Sequence, residues 1–156
     1  MSEGEKLLSS NPTARQNYFI QETLEAGIVL TGTEIKSMRA SAPNLRDAFV
    51  EVNSHSGKLE AWLLNANVGH YSHGNIWNHD PVRRRKLLLK RVEIERLYSS
   101  ITRDGMTIVP TRLYLKNGRA KIEIAVGKGK KKHDKRDTLK KKSAEREMDQ
   151  ARKKNR

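Results

Sequence analysis

The sequence predicts a mainly β domain, a small barrel or curled sheet with two or three flanking helices, followed by a basic C-terminal tail that is disordered when free. Three observations lead there. Short segments alternate apolar and polar residues and pair across turn signals. Helical patterns fall between these hairpins. Residues 127–156 give up apolar residues for charge.

Residues 1–13 are polar, reach Pro12 and are expected to be mobile, which leaves 14–126 as the folded domain. Tyr18–Glu25 reads as a strand, with Gly27 permitting a bulge or bend into Ile28-Val29-Leu30. Thr31 and Glu34 form a Thr-x-x-Glu capping box, and a short helix follows to about Ala40 with Ile35 and Met38 on its apolar side. Ala48–Val52 alternates as a strand, residues 53–58 turn the chain, and Leu59–Leu64 returns as the hairpin partner. Residues 65–82 are rich in Asn, His, Gly and Ser and read as an irregular loop. Asp80-Pro81 then suits a helix start, so Arg83 to about Leu89 is expected to make a helical turn or two.

Ile94, Leu97, Tyr98 and Ile101 follow i, i+3, i+4, i+7 spacing, an amphipathic helix that Asp104-Gly105 ends. Residues 107–115 form a strand with Pro110 at an edge or bulge. Asn117-Gly118 is a hairpin turn, and Ala120, Ile122, Ile124 and Val126 alternate along the return strand. Gly127 and Gly129 release the tail. An OB-like barrel is the architecture chosen, because it closes its edges and presents a face to nucleic acid.

The net charge is +14. Charge of that size selects polyanionic partners, nucleic acid or anionic membrane. No apolar run approaches the ~20 residues of a spanning helix. The N-terminus MSEGEKLLSS has no apolar signal core, and the chain has no cysteine, so a cytoplasmic location is expected and disulfides, thiol nucleophiles and Cys-based zinc sites are excluded. Residues 127–156 hold 14 Lys/Arg against 5 Asp/Glu. Such a segment cannot bury enough surface to offset its ordering entropy. Its residues are nevertheless fair helix formers, and Ala144, Met148 and Ala151 share one helix stripe, so a polyanion that screens the lysines would let a helix form.

Enzymatic readings find little support. His70-x-x-His73, with His79 nearby, falls in a Gly/Asn-rich loop and has no cysteine beside it, so no metal site is assigned. There is no Gly-x-Ser-x-Gly elbow. Asp80 and Asp104 are isolated, unlike the clustered acids of a metal-dependent nuclease. Gly127-Lys128-Gly129-Lys130-Lys131 lacks P-loop spacing. RNA binding fits better. Arg83, Arg84, Arg85, Lys86, Lys90 and Arg91 crowd one segment and suit phosphates, although a solvated helix face is the bland alternative. Tyr18, beside Arg15 and Asn17, offers a stacking ring, against the alternative of a core tyrosine.

Several runs, in order, resemble the SsrA-binding protein (small protein B) family of bacteria. They are Tyr18-Phe19-Ile20 and Leu24 to Ser37, then Asn44-Leu45 with Asp47-Ala48-Phe49. Asn78-His79-Asp80-Pro81 follows, leading to Arg85-Lys86-Leu87-Leu88-Leu89, and finally Gly127 to Arg136. The resemblance implies an OB-fold barrel with flanking helices, no cofactor and no catalytic activity. It implies binding to transfer-messenger RNA, which rescues ribosomes stalled on broken messages. The barrel would grip the tRNA-like domain near its elbow and stand where an anticodon arm would be. The ribosome's decoding centre and message channel are implied partners of a monomer, as is elongation factor Tu with the aminoacylated RNA.

Matched residue by residue, the resemblance implies RNA-binding roles for Asn11, Arg15, Tyr18, Glu25, Arg85, Lys86, Leu88, Gly129, Lys130 and Lys131. It implies a decoding-centre role for His133. Asp134, Lys135, Arg136, Lys140, Lys141, Arg146 and Met148 would follow the message channel, where the tail becomes helical. Gln16 and Pro12 stand where the family usually has basic or His residues, so RNA contacts near residues 12–16 depart from the pattern. Physically, Glu25 would not contact phosphate. It could accept from base amino groups or hold a basic side chain, with a structural salt bridge to an arginine as the plain alternative. A basic ribosomal structural protein and an RNA-processing enzyme are the rival readings.

Overall fold

The computed structural model describes residues 4–74 and 78–154. Residues 1–3 of the expected mobile N-terminus, 75–77 of the expected loop and 155–156 of the tail lie outside the described residues. Eleven elements follow in order: β1 Glu5–Ser10, α1 Ala14–Asn17, β2 Tyr18–Ile28, α2 Gly32–Ala40, β3 Phe49–His55, β4 Lys58–Leu64, β5 Arg85–Leu88, α3 Arg91–Thr102, β6 Thr107–Lys116, β7 Arg119–Gly129 and α4 Lys132–Lys154. One antiparallel sheet runs β1-β6-β7-β2-β5-β4-β3. Its far strand comes back against its second: Phe49–Asn53 of β3 and Met106–Ile108 line one groove. β1 occupies only the other stretch of β6, opposite Arg112–Lys116. The sheet is therefore curled on itself.

Period-two alternation fills the inside of the curl. Ala26 and Ile28, Val50 and Val52, Ala61 and Leu63, Leu87, Ile108, Leu113 and Leu115, and Ile122, Ile124 and Val126 all enter one core, which Met38 of α2 and Leu97 of α3 complete. Each such Val, Leu or Ile contributes about 1.5–3 kcal/mol on burial. Turn chemistry sets the registers. Asn117 (φ 51°) and Gly118 (φ 78°) turn β6 into β7, and Ser56 (φ 50°) and Gly57 (φ 79°) turn β3 into β4. Thr31 Oγ1 accepts from the Glu34 N–H at 3.3 Å while Glu34 Oε1 accepts from the Thr31 N–H at 2.8 Å, the capping box of α2. The β6–β7 register shifts between Pro110 and Arg112, as a residue without an N–H demands.

Five expectations differ from the structure. Residues 5–10 are not mobile: β1 pairs with β6, because Arg112–Lys116 offer unpaired backbone groups and Leu8 reaches the core. The one-turn helix α1 has too little length to leave a periodic signal. Arg83–Leu89 is not helical. Asp80-Pro81 makes only a turn, with Val82 N–H on Asp80 Oδ1 at 3.0 Å, and Arg85–Leu88 is a strand with Arg85 and Leu87 inward. The bulge in β2 falls between Ile20 and Glu22, while Gly27 pairs regularly with Leu88 and Lys121. The tail, expected to be disordered when free and helical in the ribosome, is drawn out as a helix. Residues 132–154 form one helix with no buried residue, because good helix formers carry Asp134 in the first turn and Arg152, Lys153 and Lys154 in the last, each sign matched to the helix dipole.

Candidate nucleic-acid interface

Residues that alternate inward on β2, β5 and β4 leave the intervening ones on the outer face. The strand registers place Lys121, Gly27 and Leu88 side by side on β7, β2 and β5. Lys86 lies beside Trp62 on β5 and β4, and Val29 N–H donates to the Lys86 carbonyl at 3.0 Å. Leu88 is 55% exposed and Val29 44% exposed, so the face shows apolar groups framed by cations. Gly27 makes room for this: a Cβ there would lie 3.1 Å from the Leu88 Cβ. Lys86 Nζ sits 3.7 Å from Glu60 Oε1 at a part-exposed position, a weak pair that an incoming phosphate can displace.

Glu25 stands one row further along β2, opposite Glu123. Its carboxylate accepts a short hydrogen bond from the Tyr114 hydroxyl, and Lys116 Nζ lies 3.5 Å away. The Tyr114 bond, helped by Lys116 and Lys121 and opposed by burial, holds the Glu25 carboxyl below its usual range. Burial first, and then the neighbouring carboxylate, push the Tyr114 phenol well above its usual range, so the phenol remains the donor. Glu25 is thus an ionised acceptor with a fixed orientation. Its partners are a tyrosine and a lysine, not the arginine considered from sequence.

The Arg83–Lys86 run divides by strand period. Arg85 is fully buried, and its Nε donates to the equally buried Glu34, while its other nitrogens reach the carbonyls of Ala66 (3.0 Å) and Pro81 (3.1 Å). Arg83 donates to Glu34 Oε1 at 2.5 Å. Burial alone would raise the Glu34 carboxyl, but Arg83, the Thr31 N–H and Arg85 outweigh it and the net direction is down. Arg85 is therefore not a surface RNA contact: it staples α2, β5 and the 65–83 segment together. Arg84 points the other way, with its guanidinium over the Trp62 ring, 4.2 Å from the centroid.

Asn11 is also withdrawn from the surface. It is 7% exposed, and its Nδ2 donates to the carbonyls of Pro110 (3.0 Å) and Leu45 (3.3 Å), closing the seam beside β6. Tyr18 packs partly against Ala14, Val109 and Ala125. Its neighbour Phe19 is the exposed ring, 52% accessible, with Lys130 Nζ 4.9 Å from its centroid. Lys130 also donates to the Arg15 carbonyl at 3.1 Å and to Thr138 Oγ1 at 2.8 Å. One ammonium thus joins α1, β2 and the first turns of α4.

Gly127 and Gly129 are not a hinge. Both lie in β7, paired with Ile20 and Tyr18, and a Cβ on Gly127 would come 2.5 Å from the Phe19 carbonyl oxygen. Lys131 is exposed, and its N–H caps onto Asp134 Oδ2 at 3.3 Å. His133 Nε2 lies 3.2 Å from Asp134 Oδ1. Lys135 is half-buried, whereas Arg136, Lys140, Lys141, Arg146 and Met148 are exposed, on a helix whose residues beyond Lys142 touch solvent all round. The three loop histidines do not converge on a metal. His79 is buried, its Nδ1 2.9 Å from Thr33 Oγ1 and its Nε2 2.9 Å from the Val68 carbonyl, so it ties the loop to α2. Among the described residues no group of three or more His, Cys, Asp or Glu is set to hold a metal. No helix among them is long and apolar enough to cross a membrane.

Sequence reasoning missed Trp62 and Tyr114 as parts of the face. The first had a signal, since alternation through Leu59–Leu64 puts Trp62 outward. Tyr114 had none, because its partner Glu25 lies 89 positions away.

The SmpB protein family model matches residues 8–154. An SsrA-binding protein of Anoxybacillus flavithermus is 52% identical over 152 residues, covering 97% of this chain and 96% of its own. One from Bacillus pumilus is 51% identical over the same share of this chain, and one from Streptococcus pyogenes 49% identical over 95%. A solved structure described as "tmRNA-SmpB: a journey to the center of the bacterial ribosome" superposes with a TM-score of 0.64 at 36% identity, covering 84% of this chain and 93% of that one. With a family match of this extent and relatives identical at about half their positions, the chain belongs to the SmpB family of SsrA-binding proteins.

Proposed function

We propose that this chain binds transfer-messenger RNA in trans-translation, holding the RNA's tRNA-like domain on stalled ribosomes in place of an anticodon arm. The observation that carries this is the near-full-length likeness to a protein solved with that RNA in the ribosome. The geometry supports it. The outer face of β6, β7, β2, β5 and β4 sets Leu88 and Val29 among Lys86, Lys121 and Lys116, and keeps Glu25 ionised as a fixed acceptor for base amino groups. We read the curled sheet as an OB-type barrel, and the chain as an adaptor without a catalytic step.

The tail has a separate task in this reading. A helix without a buried residue and with ten Lys/Arg between Lys132 and Lys154 draws no stability from a core. Free in solution it would melt and re-form, and a message channel lined by RNA would screen its lysines and fix it. His133 would lie at the decoding centre, with Lys135, Arg136, Lys140, Lys141, Arg146 and Met148 further along an empty channel. A gel shift with transfer-messenger RNA, comparing the unmodified chain with Leu88→Ala and Glu25→Ala, tests the first part. Weakened shifts are expected. Ribosome binding without any affinity for this RNA would favour a ribosomal structural protein instead.

A further inference from the structure

Three consecutive arginines lead into β5, the third of them its first residue, and they meet different fates. Arg83 and Arg85 are engaged by Glu34. Arg84 has no carboxylate within ion-pair range among the described residues; its one side-chain partner is the Trp62 ring, 4.2 Å from guanidinium to centroid. A guanidinium held over an indole loses little further freedom on binding and keeps N–H groups for a ligand. The location matters as much as the geometry. Trp62 is the register partner of Lys86, and Lys86 and Leu88 alternate on the same side of β5. The pair therefore continues the outer face by one strand, from β5 onto β4.

We infer that Arg84, laid on Trp62, is a second RNA contact on this face: it takes a backbone phosphate of the bound RNA, with the indole fixing the guanidinium plane. The inference rests on the proposed reading that this face binds transfer-messenger RNA, and it extends that footprint beyond Leu88. The chemistry favours RNA over an acidic protein segment. The neighbours are the Lys86 ammonium with its weakly paired Glu60, the exposed Leu88 and an aromatic ring, to which Arg84 adds a cation without a carboxylate, a mixture suited to phosphate and base together. Arg84 immediately precedes β5, and its side chain already lies over Trp62, so the contact starts from a positioned group.

The chain has two tryptophans, so in a Trp77→Phe background Trp62 alone reports. Titration with transfer-messenger RNA transcribed in vitro should then quench Trp62 emission. Arg84→Ala should weaken binding about tenfold and lower the slope of log affinity against log salt by about one, the loss of one phosphate contact. Arg84→Lys should restore the slope and only part of the affinity, because an ammonium keeps the charge without the stacked fork. Leu88→Ala in the same assay keeps the two readings apart. If Arg84→Ala binds within twofold at an unchanged slope while Leu88→Ala is impaired, this inference fails and the wider reading stands. If the unmodified chain does not bind, both fail.

Discussion

The chain holds two basic runs that display their charge in opposite ways. At β5 the strand period sorts the residues: Arg85 turns into the core against Glu34, while Lys86, the apolar Leu88 and Arg84 just before the strand face out. In α4 nothing is sorted. None of its residues is buried, and only its first turns touch the body, through Lys130 and Thr138. A run that is half interior can present its exterior residues at fixed spacing, which is what selecting one folded RNA requires. A run that is all exterior can follow a polyanion but has no rigid surface with which to choose one. Charge density alone does not tell these two apart; burial does.

The largest effect should come from breaking the sorted run. Glu34→Ala leaves Arg85 buried without its carboxylate, and urea unfolding should show a loss of about 3–5 kcal/mol. An unaltered midpoint would mean that Glu34 is not the partner that keeps Arg85 inside. Leu88→Ala is the complement. Its side chain is more than half exposed, so stability should hold within about 0.5 kcal/mol while affinity for transfer-messenger RNA falls by about tenfold, near the energy of one lost apolar contact patch. Equal losses of stability and binding would remove Leu88 from the interface.

The pH dependence separates the runs again. Glu34 and Glu25 are both held below the ordinary 4.5 of a glutamate. A carboxyl depressed on folding adds stability that is present above its unfolded value and lost as pH falls through its folded one. Stability should therefore be level above about pH 5 and drop below 4.5, and Glu34→Gln should flatten that drop. Removing α4 should leave the profile unchanged, since no group of α4 has a buried ion pair. The smallest expected effect is at Tyr114→Phe. Without the phenol the Glu25 carboxyl should move up toward 4.5 in an NMR titration, with Lys116 still holding it partly down.

Much of the sheet was legible because alternation and turns are local. Asn117-Gly118, Pro110 and the Thr31/Glu34 box each act within a few residues, and the structure has all three. What escaped depended on distant partners. Arg85 reads as a surface cation until Glu34, 51 positions earlier, is seen to take it inside, and the cations around Leu87 hid the period of two. Asn11 reads as a polar surface group until Pro110, 99 positions away, accepts from it. β1 needed the free edge of β6, which no local pattern announces. At the site, Lys86 was legible in the basic run and Leu88 through family resemblance, whereas Trp62 and Tyr114 needed the registers that bring them onto the same face.

The central claim is a division of labour: the body chooses the RNA, and the tail acts on the ribosome. A chain ended after Lys131 keeps every strand and the outer face but loses α4. Its affinity for transfer-messenger RNA should stay within a few-fold of the full chain, with a salt slope lowered by no more than about one, while rescue of stalled ribosomes should be abolished. A hundredfold loss of RNA affinity, or rescue that survives the truncation, would contradict the account.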